Sequence, residues 1–101
     1  MKEAVALREM SCERAGKREE VVVRFGRPFQ ENDYFICEYE IVISGECEAY
    51  QIIGIDSLQA LQLAMFMAGS ALQSTHGASN WSWNGEPRTG LPSSLDQPLF
   101  G

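Results

Sequence analysis

The one histidine and the three cysteines are the residues of this 101-residue chain that could support nucleophilic catalysis. The candidate thiols are Cys12, Cys37 and Cys47, and His76 is the one imidazole that could act as their base. Nothing in the local sequence marks a thiol as activated, and an odd count without a C-x-x-C pair is typical of reduced cysteines. His76 directly precedes Gly77, as a helix-capping histidine would. We therefore interpret His76 as structural and keep a small thiol enzyme as an alternative.

Carboxylates are the second group of residues that could do chemistry. Glu38 and Glu40 lie two residues apart on one strand-like segment. With Glu46 or Glu48 they could form a cation site or an acid–base pair. Such a row is more often the solvated face of a sheet, and one histidine cannot build a metal site of several imidazoles. We therefore predict no metal, no cofactor and no catalytic activity. We expect a basic protein partner to contact Glu38, Glu40 and Glu48.

The segment GIDSL at residues 54–58 resembles the attachment site of acyl and peptidyl carrier proteins. By that resemblance Ser57 would carry phosphopantetheine, and Asp56 would be its flanking acid. The surroundings differ from the carrier pattern, because two strand-like segments precede Ser57 and the helix that follows has no charge. We therefore interpret Asp56 and Ser57 as residues that satisfy free N–H groups at a helix N-terminus. A phosphopantetheine carrier modified at Ser57 stays an alternative function.

Hydrophobic patterning predicts the elements that position these residues. Strands are expected at 3–12, 20–26, 34–43 and 48–54, a helix at 57–74 and a short further strand at 80–84. Asp56 is the predicted N-cap of the helix, and Gln59 completes a capping-box-like pair. The order of elements predicts an α+β fold, a two-layer antiparallel β-meander of about four strands with one long helix packed across it. We expect residues 1–92 to form a single domain and residues 93–101 an irregular C-terminal tail.

The same patterning predicts which side chains face the core. The expected inward set is Val22, Phe25, Cys37, Tyr39, Ile41, Tyr50, Ile52, Leu58, Leu61, Met65 and Leu72. If residues 44–47 form a four-residue loop, Ile41 lies opposite Tyr50 and Tyr39 opposite Ile52. Residues 3–12 could be a strand or a helix, and we favour the strand.

The distribution of charge limits the classes of partner. The net charge is −6, which disfavours binding to nucleic acid or to an anionic membrane. Seven of the eight basic residues lie within residues 1–27, whereas residues 31–56 carry seven carboxylates and no Lys or Arg. The acidic stretch therefore favours a basic partner. The N-terminus lacks a signal-peptide core and the chain lacks an apolar run of about 20 residues, so we expect a cytoplasmic protein.

The predicted helix carries no charge at all. Residues 57–85 contain no Asp, Glu, Lys or Arg, and interface centres are poor in charge and rich in aromatic residues. We therefore expect a homodimer. The candidate interface residues are Gln59, Gln62, Phe66, Trp81 and Trp83. Two tryptophans one residue apart could instead close one end of the core. Alternatively, the C-terminal tail with Leu95, Leu99 and Phe100 could fold back and cover the uncharged outer side of the predicted helix.

Three short segments carry a family resemblance. They are GIDSLQALQLA at 54–64, WNGE at 83–86 and GLP at 90–92. The stretch from about Val21 to Pro92 resembles a family of small uncharacterised bacterial proteins, and the first twenty and last nine residues lie outside the resemblance. The resemblance implies a bacterial cytoplasmic origin and an order of sheet, then helix, with no functional residues to carry over. The function we expect is that of a non-catalytic protein-interaction module of the immunity or adaptor type.

Overall fold

The structure, a computed structural model, describes residues 1, 3–74 and 79–92 of the chain. Its elements are β1 (Ala4–Arg14), β2 (Lys17–Gly26), β3 (Phe29–Glu31), β4 (Tyr34–Ile43), β5 (Glu46–Gly54), α1 (Ser57–Ser74) and β6 (Ser79–Ser82). They form one antiparallel sheet with α1 packed on one of its faces. The predicted α+β architecture is therefore confirmed. The described part of the sheet has six strands, whereas about four and a short fifth were expected, and residues 4–14 are a strand as favoured.

Strand β4 is the centre of the sheet. β5 pairs with one edge of β4 along its length, and β2 and β3 share the other edge. β1 pairs with β2, and the short β6 pairs with β1. The strand order is thus β5-β4-β2-β1-β6, and β3 pairs with the same edge of β4 as β2 does. Among the described residues, β3, β5 and β6 each pair with one neighbouring strand.

The missed strand β3 continues β2 after a bulge. Phe25 lies opposite Tyr39 and Phe29 lies opposite Ile36, so four steps along the first segment match three steps along β4. Pro28, which has no N–H to donate, lies in the extra stretch. The prediction placed no strand between residues 26 and 34, whereas pairing to β4 resumes at Phe29.

Two-residue turns set the register of the long hairpins. Ser44 and Gly45 have φ angles of 51° and 83°, the left-handed values that a type I′ turn needs. Tyr39 consequently lies opposite Tyr50, and Ile41 lies opposite Glu48. The four-residue loop predicted at 44–47 is wrong. The observed register of β5 against β4 differs from the predicted one by two residues. Each side chain of β5 therefore keeps its predicted face and has a different neighbour on β4.

The inner face of the sheet is largely as predicted. From Cys37 to Ile43 the inward side chains of β4 are buried, and Cys37, Tyr39 and Ile41 are each at most 2% exposed. Val22 is a wrong assignment, because it lies on the outer face opposite Val42 while Val21 and Val23 are buried.

Helix α1 contacts the sheet through a row of small residues at a spacing of four. Its fully buried residues are Ala60, Ala64, Ala68 and Leu72. Small side chains let a helix approach a sheet closely, and α1 packs over β4 and β5. Leu61 and Met65 lie half-buried beside this row. Leu58 is a second wrong assignment, because 59% of its surface is exposed.

The segment after β6 returns across the helix. A turn at Asn84-Gly85 brings Trp83 and Glu86 together through paired backbone hydrogen bonds of 2.9 and 2.8 Å. Leu91 and Pro92 then pack against Gly69 of α1. The residues of the expected tail, 93–101, and His76 lie outside the described residues. Within the described residues, no helix is long and apolar enough to cross a membrane.

Candidate functional site

The glutamates expected to share one surface lie on opposite faces of the sheet. Glu48 lies opposite the buried Ile41 and therefore on the side of α1, whereas Glu38 and Glu40 lie on the outer face. On that outer face, Arg24 donates to Glu40 at 3.1 Å, and Gln51 donates to Glu38 at 3.3 Å. These three carboxylates therefore do not share one face of the sheet, and their contact with one basic partner stays a prediction.

A cleft of about 410 Å³ lies between β5 and the C-terminal half of α1. The residues that line it are Tyr39, Tyr50, Gln51, Ile52, Met67, Ser70 and Ala71. Its aromatic wall is the half-buried Tyr50 ring, backed by the Tyr39 ring, which is only 2% exposed. The two rings stack with their centroids 5.0 Å apart and their planes 20° apart. Such a volume is within the range of about 300–1,000 Å³ typical of binding sites in proteins.

A carboxylate lies beside this aromatic wall. The Tyr50 hydroxyl donates a hydrogen bond to Glu48, two residues earlier on the same face of β5. That hydrogen bond, with burial and the Glu48 charge, raises the pKa of Tyr50 to about 12. Burial, followed by the Glu48 charge, also raises the pKa of Tyr39. Both rings consequently stay neutral at physiological pH, and the charge beside them is negative.

The three elements that contribute residues to the cleft carry no basic side chain. β4, β5 and α1 contain no Lys or Arg. Arg14, whose charge interacts with Glu46, is held by Glu19 through two hydrogen bonds of 2.7 and 3.2 Å. An aromatic wall beside carboxylates attracts cations, since a cation gains from the ring face as well as from the opposite charge.

The start of α1 is a capped helix N-terminus, as predicted. The Gln59 N–H donates to the Asp56 carboxylate at 2.7 Å, and the Gln59 side chain accepts from the Ile55 N–H at 2.7 Å. Gln59, expected at an interface, thus serves the cap through its side chain. Ser57 is the exposed first residue of the helix and directly follows strand β5 and a short turn.

The tryptophans lie at the opposite edge of the sheet. Trp81 and Trp83 are half-buried and pack against the core, as in the reading that they close one end of it. Arg8 lies 3.7 Å from the Trp83 ring centre and donates to the Thr89 carbonyl at 3.2 Å. A Cβ at Gly90 would lie 2.4 Å from the Trp83 ring. Sequence reasoning missed this cluster, because Arg8 lies far in the sequence from Trp83 and Gly90 and no local pattern links them.

The remaining interface candidates lie on α1. Phe66 and Gln62 are half-buried, and Met67, which the sequence did not single out, is 42% exposed beside the cleft. Among residues 1, 3–74 and 79–92, no three Cys, His, Asp or Glu residues cluster closely enough to hold a metal ion.

Iodoacetamide at neutral pH is expected to modify Cys47 and to leave Cys12 and Cys37 intact in the folded protein. Cys47 is exposed, whereas the other two thiols are buried. Burial raises the pKa of Cys37 to about 11, with a smaller effect of the Glu38 charge, and burial also raises the pKa of Cys12. Intact-mass measurement over time checks this result. Rapid modification of one buried thiol that slows in His76→Ala would instead favour the thiol enzyme.

The comparisons with known proteins concern the family of the chain. Residues 6–93 match a family model described as a domain of unknown function, DUF6968. The expected resemblance to an uncharacterised family is confirmed, and the match extends it to include most of β1. The comparisons with curated proteins and with solved structures found no match.

Proposed function

Because the chain belongs to the DUF6968 family, whose function is unknown, we propose a function from the geometry of the chain itself. It is a non-catalytic protein-interaction module of the adaptor or immunity type, and its cleft between β5 and α1 binds a basic segment of a partner protein. The observation that carries this proposal is the stacked Tyr39–Tyr50 pair with the Glu48 carboxylate at its side.

The chemistry of the cleft selects a long cationic side chain. A guanidinium is planar, so it stacks on a tyrosine ring and pairs with a carboxylate at the same time. Glu46 adds a second negative charge on the same face of β5, two residues from Glu48. Met67 and Ile52 supply apolar surface for the methylene groups of the incoming side chain.

Two observations favour binding over catalysis. Burial raises the pKa of Cys12 and Cys37, so neither thiol is poised as a nucleophile at neutral pH. The exposed Ser57 follows a strand and opens an uncharged helix, whereas the carrier pattern has a helix and loop before the serine and an acidic helix after it. Both features suit a module that recognises a partner.

A fluorescein-labelled oligoarginine peptide is expected to bind the protein and to bind Glu48→Gln about tenfold more weakly, a difference of about 1.4 kcal/mol. The variant removes the carboxylate beside the tyrosine pair and keeps the size of the side chain. Fluorescence anisotropy at several salt concentrations measures the effect. Glu38→Gln is the matched control, since it removes the same charge from the outer face. Equal losses in both variants, or no binding by the wild type, would contradict the proposal.

The expected homodimer through α1 stays a prediction. Phe66→Glu is expected to convert a dimer to a monomer, because burying a charge at an interface centre is costly. Light scattering over a range of concentrations gives the mass, and circular dichroism checks that the fold is kept. Ser57→Glu is the control, since it adds the same charge at the exposed start of α1. A wild type that stays monomeric at high concentration would rule out the dimer.

A further inference from the structure

Among the described residues, strand β5 has a free edge, meaning an edge with no paired strand, and this edge runs beside the cleft. Within the described part of the chain, its nine residues pair with β4 and with no other strand. Alternate backbone N–H and C=O groups of β5 therefore point away from the sheet. These groups are the hydrogen-bonding partners that an added strand requires.

The side chains along this edge change in character from one end to the other. On the face of α1, β5 presents Glu46, Glu48, Tyr50 and Ile52 in that order. The far end is apolar and open, since Ile53, Ile55 and Leu58 are 60%, 78% and 59% exposed. The edge thus has an acidic half and an apolar half, and the tyrosine wall of the cleft lies between them.

We propose that the basic segment of the partner binds as an additional antiparallel strand on the free edge of β5. This inference rests on the proposed function and specifies how the segment is held. Backbone hydrogen bonds to β5 supply the affinity, and the side chains that alternate along the added strand supply the selectivity. An antiparallel orientation continues the pattern of the described sheet, in which all the pairs are antiparallel.

Because side chains alternate between the two faces of a strand, the residues along β5 predict a sequence pattern for the bound segment of the partner. Cations lie at two alternate positions, opposite Glu46 and Glu48. An apolar residue lies four positions before the first of these cations, opposite Ile52, and further apolar residues precede it towards Ile55 and Leu58. From its N-terminus, the segment is therefore apolar first and basic last.

The probe is a labelled nine-residue peptide, matched to the nine residues of β5. Its sequence is Thr-Val-Val-Thr-Val-Thr-Arg-Thr-Arg, which places the arginines opposite Glu48 and Glu46. We expect binding by fluorescence anisotropy, at least tenfold weaker for the same peptide with both arginines replaced by glutamate. Hydrogen exchange is expected to slow at alternate amides of β5 when the peptide binds.

Backbone methylation separates an added strand from other modes of binding. Two further peptides carry N-methyl groups at the odd or at the even internal positions. In an antiparallel strand one of these two sets faces β5, so we expect one peptide to lose binding at least tenfold and the other to retain it. Methylation does not change the charge of the peptide, which makes each peptide the control of the other.

The outcomes distinguish this inference from the proposed function. If both methylated peptides bind as well as the parent, and binding still depends on Glu48, the added strand is wrong and the basic-segment module stands. If no peptide binds and oligoarginine does not bind either, both fail, and the glutamates only protect a sheet edge. Protection of the β5 amides without peptide, with a doubled mass in light scattering, would mean that a second copy of the chain occupies the edge and would overturn the inference.

Discussion

Replacing Gly54 by alanine is expected to lower the free energy of unfolding by about 3 kcal/mol, the upper part of the range for overpacked cores. A Cβ at this position would lie 2.4 Å from the backbone nitrogen of Ala60 and 2.7 Å from its Cα. These atoms belong to the helix backbone, so no side-chain rotation relieves the contact. The first turn of α1 would have to move away from β5.

Urea unfolding followed by circular dichroism measures this loss, and Gly45→Ala is the matched control. A Cβ at Gly45 would contact nothing within 4 Å, although φ there is +83°. The control therefore isolates the cost of a left-handed backbone, about 1–2 kcal/mol. A Gly54→Ala protein that is at least as stable as Gly45→Ala would contradict the close approach of β5 and α1.

The elements with one strong local signal were predictable. Strict alternation from Tyr34 to Ile43 identified the faces of β4, and the burial of Cys37, Tyr39 and Ile41 confirms it. Asp56 and Gln59 identified the start of α1 because the capping groups are adjacent in sequence. In these segments local chemistry and tertiary packing favour the same structure.

Two residues, Val22 and Leu58, were wrongly expected to face the core. Val21, Val22 and Val23 are chemically identical, so their residue types alone do not show which of them points inward. Counting in steps of two from Phe25, which was expected inward, gives Val23 and Val21. Leu58 fits the apolar stripe of a helix, but α1 packs through its alanine row and leaves this leucine at the exposed start. Hydrophobicity alone favours the large residue, whereas close packing against a sheet favours the small one.

The contacts within the cleft depend on the register between β4 and β5, and the sequence predicts only part of that register. Alternation alone places Glu48, which shares a face with Tyr50, on the face opposite to Glu38 and Glu40, so this separation was predictable from the sequence. The stacking of Tyr39 on Tyr50 requires the two-residue turn at 44–45. If β5 shifts by two residues along β4, each side chain stays on the same face of the sheet but lies opposite a different residue. The alternating sequence pattern therefore does not distinguish the two registers.

Leu72→Ala is expected to lower the free energy of unfolding by about 3 kcal/mol, within the range of about 2–5 kcal/mol for leucine truncation in a core. Leu72 is fully buried and is the one large side chain in the row that α1 buries completely. The three alanines of the row bring the helix close to the sheet, so Leu72 fills the space where the helix reaches its C-terminal end. Its truncation removes buried apolar surface and leaves a cavity that rigid strands on one side cannot close.

Leu58→Ala is the matched control for this prediction, since it makes the same chemical change at the exposed start of the same helix. With 59% of its surface exposed, Leu58 is expected to contribute at most about 0.5 kcal/mol. Urea unfolding of the two variants compares them directly. The sequence pattern treated both leucines as inward, so the two variants test the placement of α1. Equal losses would mean that the helix is rotated about its axis and that Leu58 lies in the core, and they would contradict the alanine row as the surface of contact.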